Sequence, residues 1–387
     1  MSGQPSTVPE FPEWPQFGDE ERAGLVRALE QGQWWRMGGS EVDTFEAEFG
    51  AYHGTPHALA VTNGTHALEV ALEVLGVGPG TEVIVPAFTF ISSSLAAQRL
   101  GAVAVPVDVD LDTYCVDPTA VAAAITDRTR AIMPVHMAGQ FADMDALDKI
   151  AADAGVALLQ DAAHAHGAQW QGKRAGALGS VAAFSFQNGK LMTAGEGGAV
   201  LFPDEETRER AFVVHSCGRP RTDRDYLHRT TGSNYRMNEF SAAVLRAQLA
   251  RLDGQIEVRE QRWPLLSSLL AEIPGVVPQR TDPRTDRNPH YMAMFRIPGI
   301  TLERRRAVVD ALIARGVPAF VAFRAIYRCE GFWEAGAPDE SIEAIAARCP
   351  NVEQIHSDCV WLHHRTLLGT EQQMHDIAAV LADVLAE

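Results

Sequence analysis

The chain has 387 residues, 46% hydrophobic content and a formal net charge of −17, which predicts a soluble protein built from one large and one smaller domain. An acidic balance of this size excludes a general nucleic-acid or anionic-membrane binder. The N-terminal MSGQPSTVPEFPEWP has no basic stretch followed by an apolar run, no membrane span is visible, and the five cysteines form no CxxC pair; the expectation is a cytoplasmic protein with free thiols.

Along the chain, short apolar runs alternate with helical ones. ALAVTN (58–63), EVIVPAF (82–88), VAVPVDVD (103–110), AIMPVHM (131–137), ALLQDAA (157–163), VAAFSFQ (181–187) and GAVLFP (198–203) read as seven strands. Several are apolar almost throughout, as strands covered on both faces are. THALEVALEVLG and MDALDKIAADAG sit between them at helical period. The alternation predicts βαβ units and a mainly parallel seven-stranded sheet in an α/β fold. The last two strands are joined by too few residues for a crossover helix, which predicts an antiparallel member. From about residue 250 the pattern changes. RLDGQIEVREQRWPLLSSLLAEIPG reads as a long helix ended by Pro274-Gly275, HYMAMFRIPG as a strand, TLERRRAVVDALIARG as a Thr-capped helix, and TEQQMHDIAAVLADVLAE as a closing helix. The expected division is a large domain over 1–250, with an N-terminal arm, and a small α+β domain over 251–387.

Four motifs fail on inspection. Gly167 to Lys173 spells G-x-x-x-x-G-K, but Arg174 stands where a P-loop needs Ser or Thr. The glycines Gly76, Gly78 and Gly80 precede a strand, the wrong order for a dinucleotide fingerprint, and read as a turn. Asp108, Asp110 and Asp112 imitate a calcium loop, but Thr113 and Thr119 occupy the positions of its Gly and Glu. The pairs His164/His166 and His363/His364 lack a helical HExxH setting, and no metal is expected.

Four other features sit at or just beyond the C-terminal ends of the predicted strands, where open α/β sheets bind ligands. Asn63-Gly64-Thr65 opens a helix and offers free N–H groups to an anion; read alone it is equally an ordinary capped turn. Phe90 is either core or a plate for a planar ring. Asp161 closes a buried strand and needs a partner, either a structural one or a cationic ring nitrogen. Lys190 is one of three lysines, with Lys149 and Lys173, in a chain whose other thirty basic residues are arginine. It lies between FSF and a glycine-rich turn, where an amine can form a Schiff base; the alternative is a solvated loop lysine. Together the four are what pyridoxal 5'-phosphate requires: a phosphate seat, a ring stack, a carboxylate for the ring nitrogen and an amine for the aldehyde.

In this order, with DAAHA (161–165), FSFQNGKLMTAGEGG (184–198) and GSNYRM (232–237), the sequence resembles the fold-type I, aspartate-aminotransferase-like PLP enzymes. Among these it is most similar to the DegT/StrS-type sugar aminotransferase family. The resemblance implies that Lys190 anchors the cofactor and shuttles protons, Asp161 pairs with the pyridinium nitrogen, and His164 contacts the ring oxygen. It further implies that Gly64, Thr65 and Ser185 hold the phosphate and Phe90 stacks on the ring. Asn234 is implied to reach the phosphate of a neighbouring subunit, making the active unit a homodimer with shared sites. QWWRMGG (33–39), FRAIYR (323–328) and SDCVWLHHRTLL (357–368) depart from the phrases usual in the sugar enzymes. In these phrases the chain looks like a branch of the family that dehydrates and aromatises its substrate, and that resemblance implies a small-molecule substrate, 5-amino-5-deoxy-3-dehydroshikimate. The competing expectations are an aminotransferase acting on a keto sugar or keto cyclitol, and a non-catalytic ligand-binding relative. Arg219, Arg324 and Arg328 are candidates for a substrate carboxylate, because a guanidinium matches it bidentately.

Overall fold

The computed structural model describes residues 7–387. All seven predicted strands form, as β1 (Ala58–Val61), β2 (Glu82–Pro86), β3 (Val103–Val107), β4 (Thr129–Ile132), β5 (Ala157–Asp161), β6 (Val181–Ser185) and β7 (Gly198–Leu201). They make one sheet in the order β1-β7-β6-β5-β4-β2-β3. Neighbours from β3 to β6 pair parallel, while β7 runs antiparallel to both β6 and β1. The twelve-residue link between β6 and β7 (186–197) is filled by the Lys190 loop instead of a helix, which is why β7 reverses.

Helices cover the sheet. Two N-terminal ones, α1 (Asp19–Gln31) and α2 (Glu41–His53), have no counterpart in the expected elements; α3 (Gly64–Val74), α4 (Ser92–Arg99), α5 (Pro118–Ala124), α6 (Met144–Ala154) and α7 (Glu205–His215) follow. Side-chain caps set their starts: Asn63, Asp143 and Asp204 each accept from a backbone amide three residues on, satisfying donors that the helix leaves free. The helix expected from residue 251 begins earlier. Asn238 accepts from the Ser241 amide and starts α8 (Glu239–Ala271), 33 residues long with Pro264 inside. The reason is a buried Ala242, Ala243 and Leu245 face that continues the amphipathic stripe backward. The expected 250/251 boundary therefore falls within this helix.

Beyond α8 a second sheet forms from β8 (Val277–Pro278), β9 (Met292–Arg296), β10 (Ala319–Val321) and β11 (Cys359–His363). Its order is β10-β11-β9-β8, and every pair is antiparallel. The helices α9 (Leu302–Ala314), α10 (Ile342–Arg348), α11 (Pro350–Asp358) and α12 (Glu371–Ala386) complete the chain. The Thr301 cap accepts from the Arg304 amide as expected, and Thr370 with Gln373 forms a capping box. A separate apolar core, including Trp263, Leu270, Phe295, Leu312 and Leu381, fills the space between this sheet and its helices. All five cysteines are free thiols. No helix among the described residues is long and apolar enough to cross a membrane, and none of their His, Cys, Asp and Glu side chains form a group of three placed to hold a metal ion.

Candidate active site

The carboxyl ends of β5 and β6, the N-termini of α3 and α4 and the inner face of the second sheet enclose a cavity of about 530 Å³. Seven of the eight residues singled out in the sequence line it: Gly64, Thr65, Phe90, Asp161, His164, Ser185 and Lys190.

One end of the cavity is a close-packed seat. Asn63 caps α3, accepting from the His66 amide at 2.9 Å, so the amides of Gly64 and Thr65 have no intrahelical acceptor. The helix end lies directly on β6. A Cβ at Gly64 would stand 2.5 Å from Ser185 Cβ, and one at Gly198 would stand 2.4 Å from the Asn63 carbonyl oxygen. Only hydrogen fits at either place, and the result brings two free amides, the Ser185 hydroxyl and the helix dipole to one point. The Thr65 hydroxyl donates to Ser92 Oγ at 2.9 Å. His166, fully buried, meets the Ser185 carbonyl at 2.9 Å and steadies the strand end; burial, with Lys190 nearby, lowers its pKa to about 3 and keeps it neutral.

The floor is Asp161. Its carboxylate accepts from Ser93 Oγ at 2.8 Å and from the Ala163 amide at 3.2 Å. Burial raises its pKa, against the lowering effect of those two hydrogen bonds and of Lys190. Among the described residues no cation is hydrogen-bonded to it, so its charged form would face the cavity at a cost.

Lys190 projects from the β6–β7 loop. Its Nζ lies 4.5 Å from the centroid of the Tyr291 ring. Among the described residues no hydrogen bond or ion pair holds that nitrogen. The His164 ring is buried and stacks on Tyr291 at 4.3 Å and 25°. Its Nδ1 has no hydrogen-bond partner, and burial, with Lys190 next, lowers its pKa. Phe90, 57% exposed, stands at the mouth with its ring 6.2 Å from that of Phe323.

Asn234 does not line this cavity; it is exposed and pairs backbone to backbone with Ser216. The arginines named in the sequence lie elsewhere too. Arg219 pairs with Asp223 at 3.2 Å, Arg328 pairs with Glu353 at 2.6 Å, and Arg324 is exposed outside the lining. The charged residues of the lining are Asp161, Glu196 and Lys190, with no arginine among them. Sequence reasoning missed Ser93, Tyr291, Phe323 and Trp361. Ser93 carried a weak signal, the ISSS run that follows Phe90 and opens α4; the other three come from segments distant in sequence.

A buried carboxylate without a cation, an amine without an acceptor, an orphaned imidazole nitrogen and a glycine-walled anion seat, all facing one cavity, fit pyridoxal phosphate group for group. Fold and site together are those of a fold-type I PLP enzyme. The chain belongs to the DegT/DnrJ/EryC1/StrS aminotransferase family, whose pattern it matches over residues 16–381. It is 73% identical to the 3-amino-5-hydroxybenzoate synthase of Amycolatopsis mediterranei, over 98% of both chains. A crystal structure of 3-amino-5-hydroxybenzoic acid synthase superposes with a TM-score of 0.97 at 72% identity, covering 98% of this chain and 99% of that one. The L-glutamine:2-deoxy-scyllo-inosose aminotransferase of Streptomyces paromomycinus is 37% identical, over 100% of this chain and 96% of its own.

Proposed function

We propose that this chain is a PLP-dependent lyase that converts 5-amino-5-deoxy-3-dehydroshikimate to 3-amino-5-hydroxybenzoate and water, a step of ansamycin-type antibiotic biosynthesis. The observation that carries the reading is the full cofactor constellation around Lys190 in a chain 73% identical to a synthase of that product. The conversion removes one water and needs no oxidant and no amino donor.

The bound cofactor supplies an electron sink conjugated to the substrate's amine-bearing carbon. The chain's residues do the rest. Gly64, Thr65 and Ser185 hold the phosphate through amides and a hydroxyl. Asp161, kept in place by Ser93 and the Ala163 amide, holds a proton on the ring nitrogen. Phe90 would cover one ring face, and His164 Nδ1, which has no hydrogen-bond partner, would be the group offered to the ring oxygen. Once released from the cofactor, Lys190 Nζ takes the proton from the amine-bearing carbon as general base, and a proton returned to the departing hydroxyl completes the loss of water. Tyr291, Phe323 and Trp361 add flat aromatic surface to the lining, suited to a ring that becomes aromatic.

The two sheets with their separate cores support a division into a large and a small unit, with the cavity between them. A homodimer with shared sites is part of the proposal. The cavity must take a phosphate and a carboxylate, yet among the described residues Lys190 is the only lysine or arginine of its lining, while Asn234 stands exposed outside it. Trp34 and Trp35, 51% and 52% exposed, supply apolar surface of the kind subunits bury. A cytoplasmic location accords with the free thiols.

The test is turnover with PLP and synthetic 5-amino-5-deoxy-3-dehydroshikimate, without any amino donor, followed by the product's aromatic absorbance and mass. Product over a Lys190→Ala control establishes the reading. No product from a protein that binds PLP, together with glutamine-dependent amination of a keto cyclitol, replaces it by the aminotransferase reading. The seat is tested separately. Gly64→Ala is expected to weaken PLP binding roughly tenfold or more, since overpacking of this kind costs about 1–3 kcal/mol; fluorescence titration of the apoprotein with PLP measures it.

A further inference from the structure

Behind the Lys190 loop lies a fully buried arginine that has no carboxylate partner among the described residues. Arg259, on α8, is 0% exposed. Its Nε and Nη1 have no hydrogen-bond partner, and burial lowers its pKa to about 9. A buried guanidinium so poorly satisfied costs stability, which makes it a poor device for holding the fold together. Its one side-chain hydrogen bond runs from Nη2 to Nδ1 of His364, at 3.1 Å.

That bond has a direction. A guanidinium can only donate, so His364 Nδ1 must accept and its proton sits on Nε2. Nε2 then donates to the Gly189 carbonyl at 3.1 Å, the residue immediately before Lys190. Burial and the adjacent Arg259 charge keep His364 neutral, and the Arg259 donor on one side and the Gly189 acceptor on the other select the same tautomer. A second grip comes from the N-terminal arm. Trp14 Nε1 donates to the Asn188 carbonyl at 3.0 Å, and the Trp14 ring packs edge-on against His364 at 4.4 Å. The two peptide carbonyls that precede Lys190 are therefore held by segments about 175 positions away on either side of the loop in the chain.

We propose that Arg259, through His364 and together with Trp14, is a positioning residue that clamps the Asn188–Gly189 backbone and so fixes where Lys190 Nζ moves its proton. The inference rests on the reading of Lys190 as anchor and base. It adds that the small sheet and the N-terminal arm, by holding that loop, couple their own placement to the reaction.

The test uses the full chain. Arg259→Met has similar length and no donor. It is expected to lower kcat about 10- to 100-fold with KM changed less than about twofold, because small misplacements of a reacting group cost that much. In the cofactor-free protein, hydrogen exchange of a peptide spanning 187–191 should accelerate while the other sheet strands stay protected. His364→Leu should reproduce both effects. His364→Gln, which keeps a donor in reach of the Gly189 carbonyl, and Arg259→Lys should restore most of kcat. Wild-type kcat and wild-type loop exchange in Arg259→Met overturn the clamp. So does loss of kcat in a folded Arg259→Met with unchanged exchange and no rescue by the conservative variants. If Arg259→Met does not fold, the pair His364→Leu and His364→Gln decides on the same readouts. Because exchange is measured without cofactor, the two failures are distinguishable: the clamp fails if exchange is unchanged while Lys190→Ala still abolishes turnover, and the Lys190 reading fails, taking the catalytic part of the clamp with it, if Lys190→Ala turns over at the wild-type rate whatever the exchange.

Discussion

Lys190→Ala is expected to leave no measurable conversion of 5-amino-5-deoxy-3-dehydroshikimate, a loss of at least about ten-thousandfold. A positioned general base alone is worth about 10²–10⁴ in rate, and this amine has a second task as the cofactor's covalent anchor. The variant should also lose the visible absorbance that the lysine-bound cofactor gives the wild type. The fold should survive. Lys190 Nζ lies over the Tyr291 ring without hydrogen bond or ion pair among the described residues, and the loop's shape is held by backbone contacts, from the Lys190 amide to the Gln187 carbonyl and from His364 and Trp14 to the two preceding carbonyls. Thermal melting of the two apoproteins checks this. A folded Lys190→Ala protein turning over at the wild-type rate would falsify the assignment.

The same geometry explains which parts of the molecule could be read from the chain. The seven strands were legible because parallel strands covered on both faces are written as unbroken apolar runs, and the reversal of β7 followed from the shortness of its connection. Lys190 and Asp161 stood out because each is costly where it sits: an amine in an apolar frame, an acid closing a buried strand. The close approach behind Gly64 was not visible in the same way, since only the folded chain shows that Ser185 comes within reach of its missing Cβ. Pairing is the other thing a sequence conceals. Arg219 and Arg328 looked available for a carboxylate, yet Asp223 and Glu353 already occupy them. Arg259, unremarked among thirty arginines, proves to be fully buried, with two of its guanidinium nitrogens unpartnered among the described residues. Tyr291, Phe323 and Trp361 escaped notice because each belongs to the antiparallel sheet or its approaches. Aromatic residues there are expected core, and only the packing of that sheet against the mouth of the first turns them into cavity wall.

Asp161→Asn separates the cost of the site from its use. The amide is isosteric, so its oxygen can still accept from the Ala163 amide, and Ser93 can reverse its hydroxyl to accept from the new NH2. What disappears is the negative charge. Turnover is expected to fall at least about a hundredfold, comparable to removing one preorganised electrostatic contact from a water-excluded site, because nothing then keeps a proton on the ring nitrogen. The stability of the cofactor-free protein should move the other way. Burial raises the Asp161 pKa in the folded state, so the folded chain favours the protonated acid. Its contribution is present below the unfolded-state pKa and is lost as pH rises through the folded one. The fold therefore disfavours the charged form that the unfolded chain favours at neutral pH, and apo Asp161→Asn should melt at or above the wild-type temperature. Adding PLP should reverse the ranking, raising the wild-type melting temperature more than that of the variant, since only the carboxylate gains a cationic partner. An apo Asp161→Asn protein that melts well below wild type would mean that the carboxylate holds the fold, and an equal PLP-induced rise in both proteins would mean that it does not meet the ring nitrogen.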